Sequence, residues 1–235
     1  MMKWIIPLIL IFFVACSSQN VTLEDGIFSV TTDDGYDLVG DIRLGESVDS
    51  SEAVILVHSL HNNRQEWSSA YRDGLARNYT TVRFDLRGHG DSTGDKDSFT
   101  EEDYRAMTQD IGAVVSYLKK QGVTTFYIIG SDLGANLALQ YAAIDSSVKR
   151  LILISPTENT KGVTTRDVLD VYTGELYIFM SREYQIDWDY GLYMKDNFNG
   201  EKKLRLVDGG GHGAESFLQN RLDDTIQFTL HFLQR

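Results

Sequence analysis

Along the chain, short continuous apolar runs alternate with segments of helical periodicity. The first two runs, GIFSVTT and YDLVGDIRL, flank DDG and predict a β-hairpin. AVILVHS (53–59) is apolar up to His58, the pattern of a strand buried on both faces of a parallel sheet. In RQEWSSAYRDGLARN, Trp67, Tyr71 and Leu75 recur every four positions and predict a helix with one apolar face. TTVRFDL reads as a strand and RGHGDSTGDKDSF as a loop rich in Gly and Asp. TEEDYRAMTQDIGAVVSYLKKQG (100–122) predicts one long helix. Thr100 and Asp103 resemble a capping box, acids crowd the first turn, and Lys119, Lys120 and Gly122 close the end. The remainder reads as strand TTFYIIG, helix LGANLALQYAAID, strand KRLILIS, a short helix near TTRDVLDVY, strands ELYIFMS and KKLRLVD in direct succession, and helix ESFLQNRLDDTIQFTLHFL.

Two leading strands followed by alternating strands and helices imply an α/β domain, a mostly parallel sheet with helices on both faces. In such sheets ligands bind beyond the carboxyl ends of the strands, so the informative residues are those just after each strand. With 235 residues and 42% hydrophobic content, the chain can bury a single sizeable core.

The formal net charge of −12 disfavours nucleic acid and anionic lipid as electrostatic partners. No His/Cys/Asp/Glu grouping has metal-ligand spacing, so neither metal nor cofactor is expected. The opening MMKWIIPLILIFFVACSSQN has a basic Lys3 and an almost wholly apolar stretch over 4–14, short for a membrane span and suited to a signal h-region. Cys16 is the only cysteine, which excludes an intramolecular disulfide. Phe13-Val14-Ala15-Cys16 resembles a bacterial lipobox, with Phe13 where leucine is usual. The resemblance implies a signal peptide over 1–15, a tether over 16–26 starting at a lipidated Cys16, and a folded domain over 27–235. An uncleaved N-terminal anchor is the alternative. Both readings place the domain outside the cytoplasm on a membrane tether.

The stretch FYIIGSDLGANLAL (126–139) has the shape of a nucleophile elbow, G-x-Ser-x-G, but Asp132 stands at its centre and Ser131 comes one place early. Together with VILVHSLHNNRQEW, FDLRGHGDSTG and GGGHG, it makes the chain from about residue 27 resemble the α/β-hydrolase family, in particular small esterase- or dienelactone-hydrolase-like members. The resemblance implies an eight-stranded type of sheet and a small-molecule, ester-like substrate. It offers no cap domain, because only 19 residues separate KRLILIS from ELYIFMS. It makes the backbone N–H groups of Leu60 and Leu133 the oxyanion donors and His212 the general base. Asp132 becomes the nucleophile, as in haloalkane dehalogenases and epoxide hydrolases, where an aspartate forms an alkyl ester that a His-activated water cleaves. In those enzymes a cap domain supplies the halide-binding or epoxide-polarising side chains. Its absence argues against both chemistries here unless another loop, such as 59–66 with His61, contributes them. Such an Asp is a poor acyl nucleophile, since attack on an ester gives a mixed anhydride.

At the family's acid position SREY places Tyr184, with Glu183 adjacent and Asp187 three residues further on. Glu183 is the preferred partner for His212. His58 and His89 fall in motifs with structural or loop-ordering roles, and His231 has the spacing of a packing residue. Three readings follow: a capless hydrolase using Asp132 and His212, a non-catalytic binding or scaffold member, and a serine enzyme using Ser131.

Overall fold

In the computed structural model, residues 23–46 and 51–234 are described, without the side chains of Ile186 and Asp187. The expected signal peptide, Cys16 and the tether up to residue 22 lie outside the described residues. No helix among the described residues is long and apolar enough to cross a membrane.

The strands are β1 Gly26–Thr31, β2 Asp37–Arg43, β3 Glu52–Val57, β4 Thr80–Phe84, β5 Thr125–Ser131, β6 Val148–Ile154, β7 Asn159–Thr160, β8 Val163–Thr164, β9 Glu175–Ser181 and β10 Lys202–Val207. The helices are α1 Ser69–Ala76, α2 Glu101–Ala106, α3 Thr108–Lys120, α4 Leu133–Ala142, α5 Gln185–Asn197 and α6 Gly213–Leu233. Eight strands form one sheet in the order β1-β2-β4-β3-β5-β6-β9-β10. The β1–β2 and β2–β4 pairs are antiparallel and the remaining pairs parallel. The alternation of runs therefore yields an α/β sheet with a leading hairpin, as expected.

Two apolar layers cover the sheet. On one face Ile55, Val57, Ile128 and Leu153 meet Ile111, Val114 and Leu118 of α3, Leu137 of α4 and Met194 of α5. On the other, Val54, Leu56, Ile129 and Ile152 meet Tyr71 and Leu75 of α1 and Phe217 and Phe232 of α6. Because β3, β5 and β6 bury side chains on both faces, each carries a continuous apolar stretch, over 53–57, 126–129 and 151–154.

Three local expectations need correction. The single helix over 100–122 is two helices joined at Met107; its Thr100–Asp103 capping box is present. The short helix near 164–172 is a 3-10 turn at Arg166–Val168. Between β9 and β10, where no helix was expected, α5 supplies the crossover that a parallel pair requires. Between β6 and β9 the described chain holds only the two-residue β7–β8 hairpin and that 3-10 turn, so no cap domain is built there. Asn136 of α4 ties this short flap down, donating to Thr157 Oγ1 and to the Val163 carbonyl.

Candidate active site

The turn from β5 into α4 is an elbow. Asp132 takes φ 50° and ψ −115°, a left-handed conformation costing a non-glycine residue about 1–3 kcal/mol. Flanking glycines allow it. A Cβ on Gly130 would lie 2.3 Å from the Gly134 carbonyl oxygen, and one on Gly134 would lie 2.4 Å from that of Val57. The strained residue is Asp132 and not Ser131, so the carboxylate crowns the bend.

Asp132 Oδ2 accepts the Leu60 N–H at 3.2 Å, and the neighbouring Leu133 N–H also favours the charged carboxylate. Oδ1 lies 3.6 Å from His212 Nε2, with side-chain exposures of 34% for His212 and 14% for Asp132. Burial pushes the Asp132 carboxyl upward, but His212 and the two N–H donors outweigh it and hold it below the usual value. The nucleophile candidate thus places one oxygen on the Leu60 N–H, one of the two expected oxyanion donors, and turns the other toward the imidazole.

Ser131 points elsewhere. It is fully buried, and its hydroxyl accepts the Ala214 N–H at 2.7 Å and meets Ser59 Oγ at 2.7 Å. Glu183 sits exposed on the turn after β9, where its N–H donates to Ser181 Oγ at 3.3 Å. The side chain of Asp187, the second acid considered, is outside the described residues. Tyr184 packs against His212 with ring centroids 5.7 Å apart. Sequence reasoning did not single out Glu66, buried behind the oxyanion loop, or Ser155, which accepts the Gly213 N–H at 3.1 Å. Nothing local marks either one, since their partners are distant in sequence.

Both other motif histidines brace the Leu60 loop. His89 Nε2 lies 2.8 Å from the Leu60 carbonyl and Nδ1 lies 2.9 Å from that of Arg87. His58 Nε2 accepts the Leu86 N–H at 3.0 Å, so Nδ1 carries the proton and donates to the Ser59 carbonyl at 2.8 Å. Burial, with His89 nearby, lowers the His58 pKa to about 3. An unfolded histidine near 6.5 binds a proton that the folded one refuses, so this stability is complete above pH 6.5 and is lost as pH falls toward 3. Between pH 7 and 4.5 the loss is roughly 3 kcal/mol. Urea unfolding at both pH values measures it, and the pH slope should flatten in His58→Asn; equal slopes would refute the assignment. No group of three or more potential metal ligands occurs among the described residues.

A family model described as "alpha/beta hydrolase fold" matches residues 52–179, more than half of the chain. The chain belongs to the α/β-hydrolase fold family. Within this family it is similar to an uncharacterized protein of Mycobacterium tuberculosis, 32% identical over 115 residues, covering 48% of this chain and 32% of that one. It is also similar to a soluble epoxide hydrolase of Corynebacterium sp., 31% identical over 106 residues, covering 45% of this chain and 35% of that one. The chain spans about a third to a half of the length of the curated relatives it matches. Among solved structures it resembles Est1E from Butyrivibrio proteoclasticus bound to ferulic acid, with TM-score 0.74, 19% identity and coverage of 88% of this chain and 100% of that one. A Pyrococcus furiosus esterase gives TM-score 0.72, 18% identity and coverage of 92% and 91%. At these identities the two likenesses speak for the α/β-hydrolase fold alone.

Proposed function

We propose that this α/β-hydrolase is a hydrolase of a small molecule with an electrophilic saturated carbon, an epoxide by preference, and that Asp132 is its nucleophile. The observation that carries the reading is the lodging of Asp132 Oδ2 against the Leu60 N–H while Oδ1 faces His212. The Leu60 oxyanion donor is then already engaged by the enzyme's own carboxylate. An ester substrate's carbonyl finds it occupied, whereas an alkyl ester formed on Asp132 finds it in place for its second step.

Oδ1 attacks the carbon, a C–O bond forms, the epoxide C–O bond breaks, and the departing oxygen takes a proton. We assign that proton to Tyr184, whose ring packs 5.7 Å from that of His212, since no cap domain stands between β6 and β9 to supply one. His212 then removes a proton from water, whose oxygen attacks Cγ of Asp132. Negative charge gathers on Oδ2 at the Leu60 N–H. Collapse breaks the Cγ–O bond to the diol, whose oxygen takes the proton of the new carboxyl group. The proton held by His212 returns to the Tyr184 phenolate, so that carboxylate, imidazole and phenol are all restored. The partial likeness to a soluble epoxide hydrolase supports this chemistry. The test is a covalent adduct on Asp132, retained when His212 is replaced by glutamine and read by intact-protein mass spectrometry.

One feature favours a second reading, a binding member without turnover: the same carboxylate occupies the Leu60 donor and obstructs the oxyanion site for acyl substrates. Complete absence of an adduct would support it. The apolar run at 4–14 and Cys16 support a further proposal, an extracytoplasmic lipoprotein. Mass analysis of the N-terminal peptide should find a diacylglyceryl-modified Cys16 as the first residue; an unmodified peptide starting at Met1 would refute it.

A further inference from the structure

The imidazole of His212 has to stay over Asp132, yet His212 is the N-cap of α6 and its side chain makes no capping bond. The first-turn N–H groups of α6, which is broken by a kink at Arg221 (φ −146°, ψ 40°), are satisfied by side chains from other elements. Gly213 N–H donates to Ser155 Oγ at 3.1 Å, Ala214 N–H to Ser131 Oγ at 2.7 Å, and Glu215 N–H to Glu66 Oε1 at 3.3 Å. Glu66 also takes the Ser59 N–H and Ser59 O–H, each at 2.6 Å.

The direction of each bond follows from chemistry. An ionised carboxylate only accepts, so the Ser59 hydroxyl hydrogen points at Glu66. Ser131 therefore donates to Ser59 at 2.7 Å, with Glu66 Oε1 a longer 3.4 Å from the same hydroxyl, and a lone pair of Ser131 takes the Ala214 N–H. A chain of donors thus runs from the α6 N-terminus through the elbow and the oxyanion loop and ends on one buried anion. That anion also sits at the positive end of the helix dipole. Burial raises the Glu66 carboxyl against the pull of these donors, and the donors repay desolvation only while all are in place.

We propose that Glu66, acting through Ser59 and Ser131, is a positioning residue that locks the histidine turn and the Leu60 loop to the elbow. The proposal rests on the reading of Asp132 and His212 as the reacting pair. It also accounts for the early serine of the elbow: Ser131 is a link in this lock and not a nucleophile.

Glu66→Gln is the test. Both carboxylate oxygens face donors, so the carboxamide must turn its NH2 against at least one of them. With the lock loosened, His212 and the Leu60 N–H drift from Asp132, whose pKa then rises. Following the Asp132 Cγ resonance by NMR against pH should show an upward shift of about one unit. Amide exchange at Ala214 and Glu215 should quicken by about tenfold. The sign separates mechanisms, because losing a nearby negative charge through space alone lowers the Asp132 pKa.

Ser131→Ala, which keeps the Glu66 charge, should shift Asp132 the same way and serves if Glu66→Gln does not fold. An Asp132 titration that stays put or moves down in the folded variant overturns the proposal. Where turnover is present, kcat should fall about tenfold with KM within about twofold of wild type. The NMR readout needs no turnover, so failure of the hydrolase reading and failure of the lock are told apart.

Discussion

His212→Gln is expected to halt the reaction at the covalent stage. The first step needs the Asp132 carboxylate, its electrophile and a proton donor; only the second needs a base for water. Removing the base should slow ester hydrolysis about 10²–10⁴-fold and leave alkylation largely intact. Incubated with small terminal epoxides, the variant should gain the mass of one epoxide per chain, mapped by digestion to the peptide carrying Asp132. Asp132→Asn, isosteric but without a nucleophilic carboxylate, should gain none. A single turnover of wild type in H₂¹⁸O should label Asp132 first, because water attacks Cγ and not the substrate carbon. If neither wild type nor His212→Gln is alkylated by any member of an epoxide and haloalkane panel, the nucleophile assignment fails and the binding-member reading gains.

The expectation rests on three groups that stand together in the structure. Asp132 carries the strained backbone of an elbow apex, one oxygen already meets a main-chain donor, and the other faces the imidazole. Backbone strain of this kind persists only where the surrounding structure over-determines it. Here Gly130 and Gly134 permit the close strand–helix approach that does so.

These features were legible in the sequence because they are local. The elbow occupies five residues, the Leu60 donor follows the end of an apolar run, and His212 sits in a glycine-flanked turn after the last strand. The fold was legible for a similar reason, since β3, β5, β6 and β9 each carry a continuous apolar stretch. Helix α5 was not. Its segment has no side-chain N-cap and carries Gly191 mid-helix, a residue that reads as a loop. That glycine is there for packing: a Cβ on it would lie 2.9 Å from Met180 Cγ. The break at Met107 likewise has no capping side chain to announce it. The Glu66 lock was illegible for another reason. It joins residues 59, 66, 131, 214 and 215, which only the folded sheet brings together.

Asp132→Ser reverses the logic of the first experiment. In wild type the carboxylate occupies the Leu60 donor that an acyl substrate needs, so p-nitrophenyl acetate should be hydrolysed no faster than background. Serine is shorter and uncharged, and replacing the carboxylate frees the Leu60 N–H, which like that of Leu133 is main-chain and survives the change. A hydroxyl at the apex then has a base in His212 and a vacant oxyanion site, a constellation worth about 10²–10³-fold for the donors alone. Esterase turnover should therefore emerge, weak because Tyr184 stands where the family's acid orients the imidazole; adding Tyr184→Asp should raise it further. A fluorophosphonate should label the introduced hydroxyl and leave wild type untouched, since Ser131 is buried and engaged with Ala214 and Ser59. Labelling of wild type at Ser131 would overturn the assignment of the apex. Silence from a well-folded double variant would show that the Leu60 and Leu133 donors do not form a working oxyanion hole, and the alkyl-ester mechanism, which needs the same two donors in its second step, would lose its support with them.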